Sequence, residues 1–284
     1  MKVIETFPFF NELDLLEVHL NTTADFVDRY LITESRFSHA GEEKPLYLSD
    51  NLQKFAQHAD KIEIQIVDSF PKGVTLFEAD WYQRDSAKPV LDKMLVDGDV
   101  LIYGDVDEIP RPSALHNALR GLKSSERFEV AHLAQDLFFY YLNFQEVSGT
   151  LLSYMGEYEG VKGKSWLGTT VNRWEACKSQ SPTSLRYPER KKAGFRVPFG
   201  GWHFSWVGSS DPSDLKSRVS RKLQNTAHQE FASPLNRFLL DRRLRRGKDL
   251  VGRRSARFKR QENLGLLPDY VLANLDKFDH LILK

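Results

Sequence analysis

The chain has 284 residues, of which 41% are hydrophobic and 28% charged, with a formal net charge of +1. That length and apolar content suit one large α/β domain, and the near-neutral balance excludes a global pull toward nucleic acid or an anionic membrane. A single cysteine, Cys177, excludes an internal disulfide framework, and with neither a signal-peptide core nor an apolar run of the ~18 residues a membrane span needs, the expectation is a cytoplasmic protein without a transmembrane segment.

"KVIETFPFF" opens as a short strand. Asn11 is placed to cap a helix with Leu13, Leu16 and Leu20 on one face and Asp14 in its first turn. Residues 26–35, "FVDRYLITES", form a second strand, and 61–68, "KIEIQIVD", alternate as a half-buried strand does. Residues 78–96 read as helical, with Pro89 kinking or splitting the helix. "VLIYGD", 100–105, is the most apolar strand, and Ser113 is placed to cap a helix running to about Leu122. "RFEVAHLA" and "LFFYYLNF" are β-rich, whereas "GKSWLGTTVNRW" and "FGGWHFSW" suit loops or short strands near a site. Past Asp211 the pattern turns helical and basic. The alternation over the first 125 residues predicts an α/β fold with a largely parallel sheet and helices on both faces.

Residues 102–112, "IYGDVDEIPRP", set Asp105, Asp107 and Glu108 directly after that apolar strand. Burying like charges is unfavourable unless a cation or hydrogen bonds compensate them. Ligands of open α/β sheets bind outside the carboxyl ends of the strands. There, Asp105 and Asp107 can face one hard divalent cation whose shell a nucleotide diphosphate completes; the alternative is a solvated turn in which Asp107 or Glu108 bonds local backbone. Gly104 permits close backbone approach, and Pro110 and Pro112 stiffen the exit. In "GGWHFSWVG", 200–208, His203 can supply a nitrogen ligand beside tryptophans that offer a flat wall to a sugar, or it can be a hydrogen-bonded core histidine. "FEADWYQRD", 77–85, offers Arg84 to a phosphate or a site carboxylate, or to an i,i+4 pair with Asp80. Glu34 and Ser35 end the second strand, where they can meet a nucleoside or cap the next turn.

No P-loop, dinucleotide fingerprint or nucleophile elbow is present, and Cys177 lacks a metal-ligand spacing partner. Residues 237–260 carry eleven Lys/Arg against two Asp. Arg242, Arg243, Arg245 and Arg246 there close a helix ahead of Gly247, as a solvated face or as a surface for an acidic polymer. No nucleic-acid module accompanies them, so nucleic acid is not an expected partner. On the residues alone, a metal-dependent phosphohydrolase or nuclease and a non-catalytic binder of acidic polymers are both open readings.

"ETFPFFNELDLLEVHL", "ITESRFSHAGEEKPL", "ADWYQR", "DVLIYGDVDEIPRPSAL", "GGWHFSW" and "VLANLDKFDHLIL" together make the chain resemble glycosyltransferase family 17, in the family's order and over nearly the whole length. The resemblance implies a GT-A fold within a single domain, 1–284: a nucleotide-binding half over 1–125, a half completing the metal and acceptor site over 126–210, and a helical segment over 211–284. It implies an inverting transfer of a sugar, N-acetylglucosamine in the family's animal member, from a UDP-sugar to a glycan acceptor with Mn²⁺ or Mg²⁺. By position, Asp107 would bind the metal directly, Asp105 would contact the ribose or a metal-bound water, and His203 would be a further ligand. Glu34 and Ser35 would lie near the uridine and Arg84 near the diphosphate. Inversion needs a carboxylate base, for which Glu108, Asp136, Glu157 and Glu159 are the candidates, and Trp166 would line the acceptor cleft. The absence of an anchor points to a bacterial or viral enzyme acting on a glycan other than an N-glycan.

Overall fold

The computed structural model describes residues 1–124, 128–149, 165–186, 194–207, 234–249 and 255–284. The N-terminal half runs β1 (Val3–Phe9), α1 (Leu13–Thr23), β2 (Arg29–Ser35), a kinked 3-10 stretch (Ser49–Lys61), β3 (Ile62–Val67), α2 (Leu76–Asp85), α3 (Lys88–Met94), β4 (Val100–Tyr103), β5 (Glu108–Pro110) and α4 (Pro112–Ser124). Then follow β6 (Val130–Phe139), β7 (Phe144–Glu146), β8 (Thr170–Arg173), α5 (Trp174–Cys177), a 3-10 turn (Thr183–Arg186), β9 (Phe195–Ser205), α6 (Pro234–Arg245), β10 (Phe258–Arg260), α7 (Asp269–Ala273) and α8 (Leu275–Phe278).

The main sheet is ordered β10-β7-β6-β8-β4-β1-β2-β3, while β9 runs parallel to β6 and pairs antiparallel with β5. β3, β2, β1 and β4 are mutually parallel, as the strand and helix alternation predicts, so β1 and β4 end side by side on one edge of the sheet. Side-chain alternation sorts the core onto two faces. Phe7, Tyr30, Ile32 and Ile102 pack under α1 and α4, with Leu16 and Leu115. Ile4, Leu31, Leu101 and Tyr103 pack under α3 and α5, with Leu91, Trp174 and Cys177. Cys177 is thus a buried apolar packing group.

Three local readings are corrected. The residue before α1 is Glu12, not Asn11, and it makes no side-chain cap; its Oε2 accepts the amides of Phe10 and Asn11, which tighten the end of β1. Ser113 lies inside α4, which begins at Pro112, where a fixed φ and a missing N–H suit a helix start. Pro89 does split the 78–96 helix, sitting in the first turn of α3, but α2 begins earlier, at Leu76, behind a reciprocal capping box of Thr75 and Glu78. The stretch 150–164, with Glu157 and Glu159, and the stretch 208–233 lie outside the described residues.

Where β5 meets β9 the chains approach too closely for side chains. Gly201 has φ +138°, and a Cβ there would lie 2.1 Å from the Ile109 carbonyl. Gly201→Ala is therefore expected to lower unfolding free energy by roughly 1–3 kcal/mol, read by chemical denaturation; unchanged stability would show that this crossing can relax.

Candidate active site

The apolar β4 delivers the chain to the sheet edge, and the next four residues fold into a tight turn. The Glu108 amide donates to the Asp105 carbonyl at 2.9 Å, and the Asp105 amide donates to Glu108 Oε2 at 3.0 Å, so the turn is closed from both ends. Glu108 is fully buried. Arg186 donates to both of its oxygens, at 3.1 and 2.9 Å, and the Trp166 indole donates to Oε1 at 2.7 Å. Gly104 and Gly168 make room for this carboxylate: a Cβ would stand 3.1 Å from it at the first and 2.0 Å at the second.

Asp105 is also enclosed by cations. Arg84 donates to its Oδ1, and Arg186 lies 3.1 Å from Oδ2. Burial disfavours the Asp105 charge, yet Arg186 and then Arg84 outweigh it and hold the carboxyl far below the usual range. α2 aims Arg84 at this point. Gln83 Nε2 donates to the carbonyls of Phe9 and Thr33 at the ends of β1 and β2, and Asp85 accepts the Thr183 amide in the turn that carries Arg186. Arg84 makes both partnerships its spacing allowed, because its Nε also donates to Asp80 at 2.9 Å.

Asp107 turns the other way, toward His203. Its Oδ1 lies 3.6 Å from His203 Nε2, both side chains retain slight exposure (13% and 9%), and the His203 ring packs on Trp166 with centroids 4.5 Å apart. β9 is tied to the turn by the Phe204 amide, which donates to the Asp107 carbonyl at 2.8 Å. A second histidine supports the turn from beneath. His19 of α1, wholly buried, meets the Val106 carbonyl through Nδ1 and Glu5 Oε1 through Nε2, each at 2.9 Å. Burial alone would lower the His19 pKa, but the Glu5 charge and hydrogen bond, with the Val106 carbonyl, raise it on balance. His19 therefore ties the backbone between the two aspartates to Glu5.

Among the described residues no set of three or more His, Cys, Asp and Glu converges as a metal site. The donor chemistry fits a divalent cation only in part. Asp107 and His203 are close enough to share one ion, and His203 Nδ1 is buried without a hydrogen-bond partner, leaving Nε2 to face Asp107. Asp105 does not fit as a direct ligand, because both its oxygens already face guanidinium groups.

Four expected roles are displaced by this geometry. Glu108 as a base is corrected to a turn lock, since both its oxygens are occupied. Asp136 is not brought to the cluster: it pairs in register with Trp202, while Leu137 pairs with His203 and Glu108 with His203, so Asp136 faces the opposite side of the sheet. Burial raises its pKa against the opposing charge of Arg111, whose guanidinium stacks on Trp202 at 4.3 Å. Glu34 is fully buried and accepts the amides of Leu48 and Ser49 and the Ser49 hydroxyl, so it anchors the start of the 3-10 stretch and does not face a nucleoside. Ser35, equally buried, accepts the Phe37 amide. Arg186, His19, Gln83 and Gly168 were not legible as site residues; each is an ordinary residue in sequence and gains its place from tertiary packing.

Residues 1–210 match the family model described as Glycosyltransferase family 17. Beta-1,4-mannosyl-glycoprotein 4-beta-N-acetylglucosaminyltransferases of Rattus norvegicus and Homo sapiens are each 26% identical over 226 residues, covering 72% of this chain and 40% of theirs. The chain thus spans well under half the length of these relatives. Among solved structures, a mannosyltransferase from Pyrobaculum calidifontis in complex with GDP-Man and Mn²⁺ aligns over 87% of this chain and 65% of its own at 11% identity and a TM-score of 0.43. Mouse xyloside xylosyltransferase 1, apo form, aligns over 79% and 83% at 9% identity and a TM-score of 0.29.

Arg186→Ala strands Glu108 as an uncompensated buried charge and should cost roughly 3–5 kcal/mol of stability. Adding Glu108→Gln should recover part of that loss in urea unfolding; an equal loss in the double variant would deny the pairing its role. For His19 the folded pKa is raised. Its stabilising contribution is full below the unfolded imidazole value of about 6.5 and disappears as pH rises through the folded value. His19→Gln should flatten that limb of a stability-against-pH profile.

Proposed function

The chain belongs to glycosyltransferase family 17, and from that premise we propose that it moves N-acetylglucosamine from a UDP-sugar to a glycan hydroxyl with inversion at the anomeric carbon. The observation that carries the reading is the split of the acidic turn: Asp105 and Glu108 are compensated internally by Arg84 and Arg186, whereas Asp107 and His203 face each other at the sheet edge. The donor sugar follows the name borne by the curated relatives.

Asp107 and His203 would hold Mn²⁺ or Mg²⁺, with diphosphate oxygens completing the shell. Bound there, the ion supplies positive charge to the departing diphosphate. Arg84 and Arg186 would offer oriented guanidinium N–H donors beside it, their charges already balanced by Asp80, Asp105 and Glu108. Asp105 bridges the two guanidinium groups, so neither has to be oriented when the donor arrives. Trp166, fixed by Glu108 and packed on His203, presents an indole face as the wall of the acceptor side.

In a single in-line displacement the acceptor oxygen bonds to the anomeric carbon, the bond to UDP breaks with its electron pair leaving on UDP, and a carboxylate takes the acceptor proton. With Asp136 on the far face and Glu108 engaged, Glu157 and Glu159 are the candidates left for that base, and we assign it to Glu157, with Glu159 as the alternative. Glu157→Gln should lower turnover by about 10²–10⁴-fold while leaving UDP binding intact; full activity would remove the assignment.

UDP should raise the thermal midpoint only when Mn²⁺ or Mg²⁺ is present, and Asp107→Ala should abolish that dependence without altering the fold seen by circular dichroism. A UDP shift in Asp107→Ala that still requires the metal would exclude Asp107 as its ligand. Phosphoester turnover without a sugar nucleotide would exclude the transferase.

A further inference from the structure

The outward face of α6 combines exposed apolar groups with arginines. Leu235 and Phe238 are 64% and 81% exposed on it, large apolar groups in water at successive turns. Helical periodicity places Leu244 about 180° from Leu235, and Leu244 packs into the apolar cluster of Leu137, Phe139, Tyr140 and Phe258. On the outer side, Leu235, Phe238, Leu239, Arg242, Arg245 and Arg246 share one face. The helix is fastened by its inner side and its end: Gly247, at φ +58°, accepts the Phe258 amide at 2.9 Å, and the Tyr140 hydroxyl donates to Asp249 at 3.0 Å.

We propose that this face seats on the surface of an anionic lipid bilayer, Leu235 and Phe238 entering the headgroup boundary while the arginines meet lipid phosphates. A groove of about 170 Å³, lined by Leu239, Arg242, Arg243, Arg246 and Lys248, has the charge and size for a phosphate bearing an apolar tail. Cations flanking exposed aliphatic and aromatic groups on one helix face are the chemistry of an interfacial helix. Nucleic acid would use the arginines but gives an exposed Leu235 nothing to enter. No helix among the described residues is long and apolar enough to cross a membrane, so the contact is peripheral. The whole-chain charge of +1 does not oppose it, because the attraction acts within about 10 Å of the patch.

The full chain should co-float with vesicles of equimolar phosphatidylcholine and phosphatidylglycerol and not with phosphatidylcholine alone. Leu235→Ser with Phe238→Ser should lower partitioning about tenfold or more and leave binding that salt removes completely. Arg242→Glu with Arg246→Glu should abolish flotation. All four side chains lie on the outer face, so circular dichroism should be unchanged. In Phe238→Trp the emission should shift to the blue on adding the anionic vesicles, which adsorption without insertion would not produce. The proposal falls if the chain does not float with the anionic vesicles, if the apolar double variant floats as wild type at high salt, if the Phe238→Trp emission stays unmoved, or if an oligonucleotide binds while vesicles do not.

Discussion

The pairing of Glu108 with Arg186 is the constraint around which the rest of the site is arranged. A carboxylate with no solvent exposure requires a cation and a full set of donors, and here Arg186, the Trp166 indole and the Asp105 amide supply them. Once Glu108 is held in this way, the turn from Asp105 to Glu108 has one conformation, and Gly104 and Gly168 are required because any Cβ would strike that carboxylate or its partners. Arg186 also reaches Asp105, so one guanidinium joins the turn's two ends, and Arg84 closes the arrangement from α2. Two arginines thereby balance two acids in a region where either set alone would be unfavourable.

This balance separates the functions of two aspartates that stand one residue apart. Asp105 faces inward between two guanidinium groups, whereas Asp107 faces His203 across 3.6 Å. On the proposed reading the donor diphosphate meets a site whose positive groups were oriented during folding. The buried pair of His19 and Glu5 extends the same logic to the backbone, because an imidazole held by Glu5 and bonded to the Val106 carbonyl fixes the peptide between the two aspartates. Preorganisation of this kind lowers the rearrangement required when charge develops on a leaving group.

The parallel half of the sheet was legible because its signal is local: apolar runs separated by helical spacing, with the fully buried β4 followed by three acids. Arg84 was legible as a double candidate, since both its partners follow from position on α2 and at the end of β4. What was hidden depends on register. β6 and β9 slip between Leu133 and Gln135, so Asp136 meets Trp202, two residues beyond where uninterrupted counting from Leu133 and Val197 would set it. Glu34 and Ser35 end a strand at the expected edge, yet their side chains close the following turn, and strand position alone does not distinguish those outcomes. Arg186 is one of forty Lys and Arg residues, and nothing in "TSLR" marks it.

The two candidate surfaces share a support. The apolar cluster that receives Leu244 from α6 also packs against Trp166, and Trp166 touches both Glu108 and His203. Cores are densely packed and transmit displacement without absorbing it. On the proposed readings, a load on the outer face of α6 would reach the Trp166 indole through that shared cluster. If α6 rests on a bilayer, an acceptor carried by that bilayer is presented beside the same cluster that holds Trp166 in place. The basic helix then complements the acidic turn: one surface sets where the acceptor is met, and the other governs the chemistry performed on it.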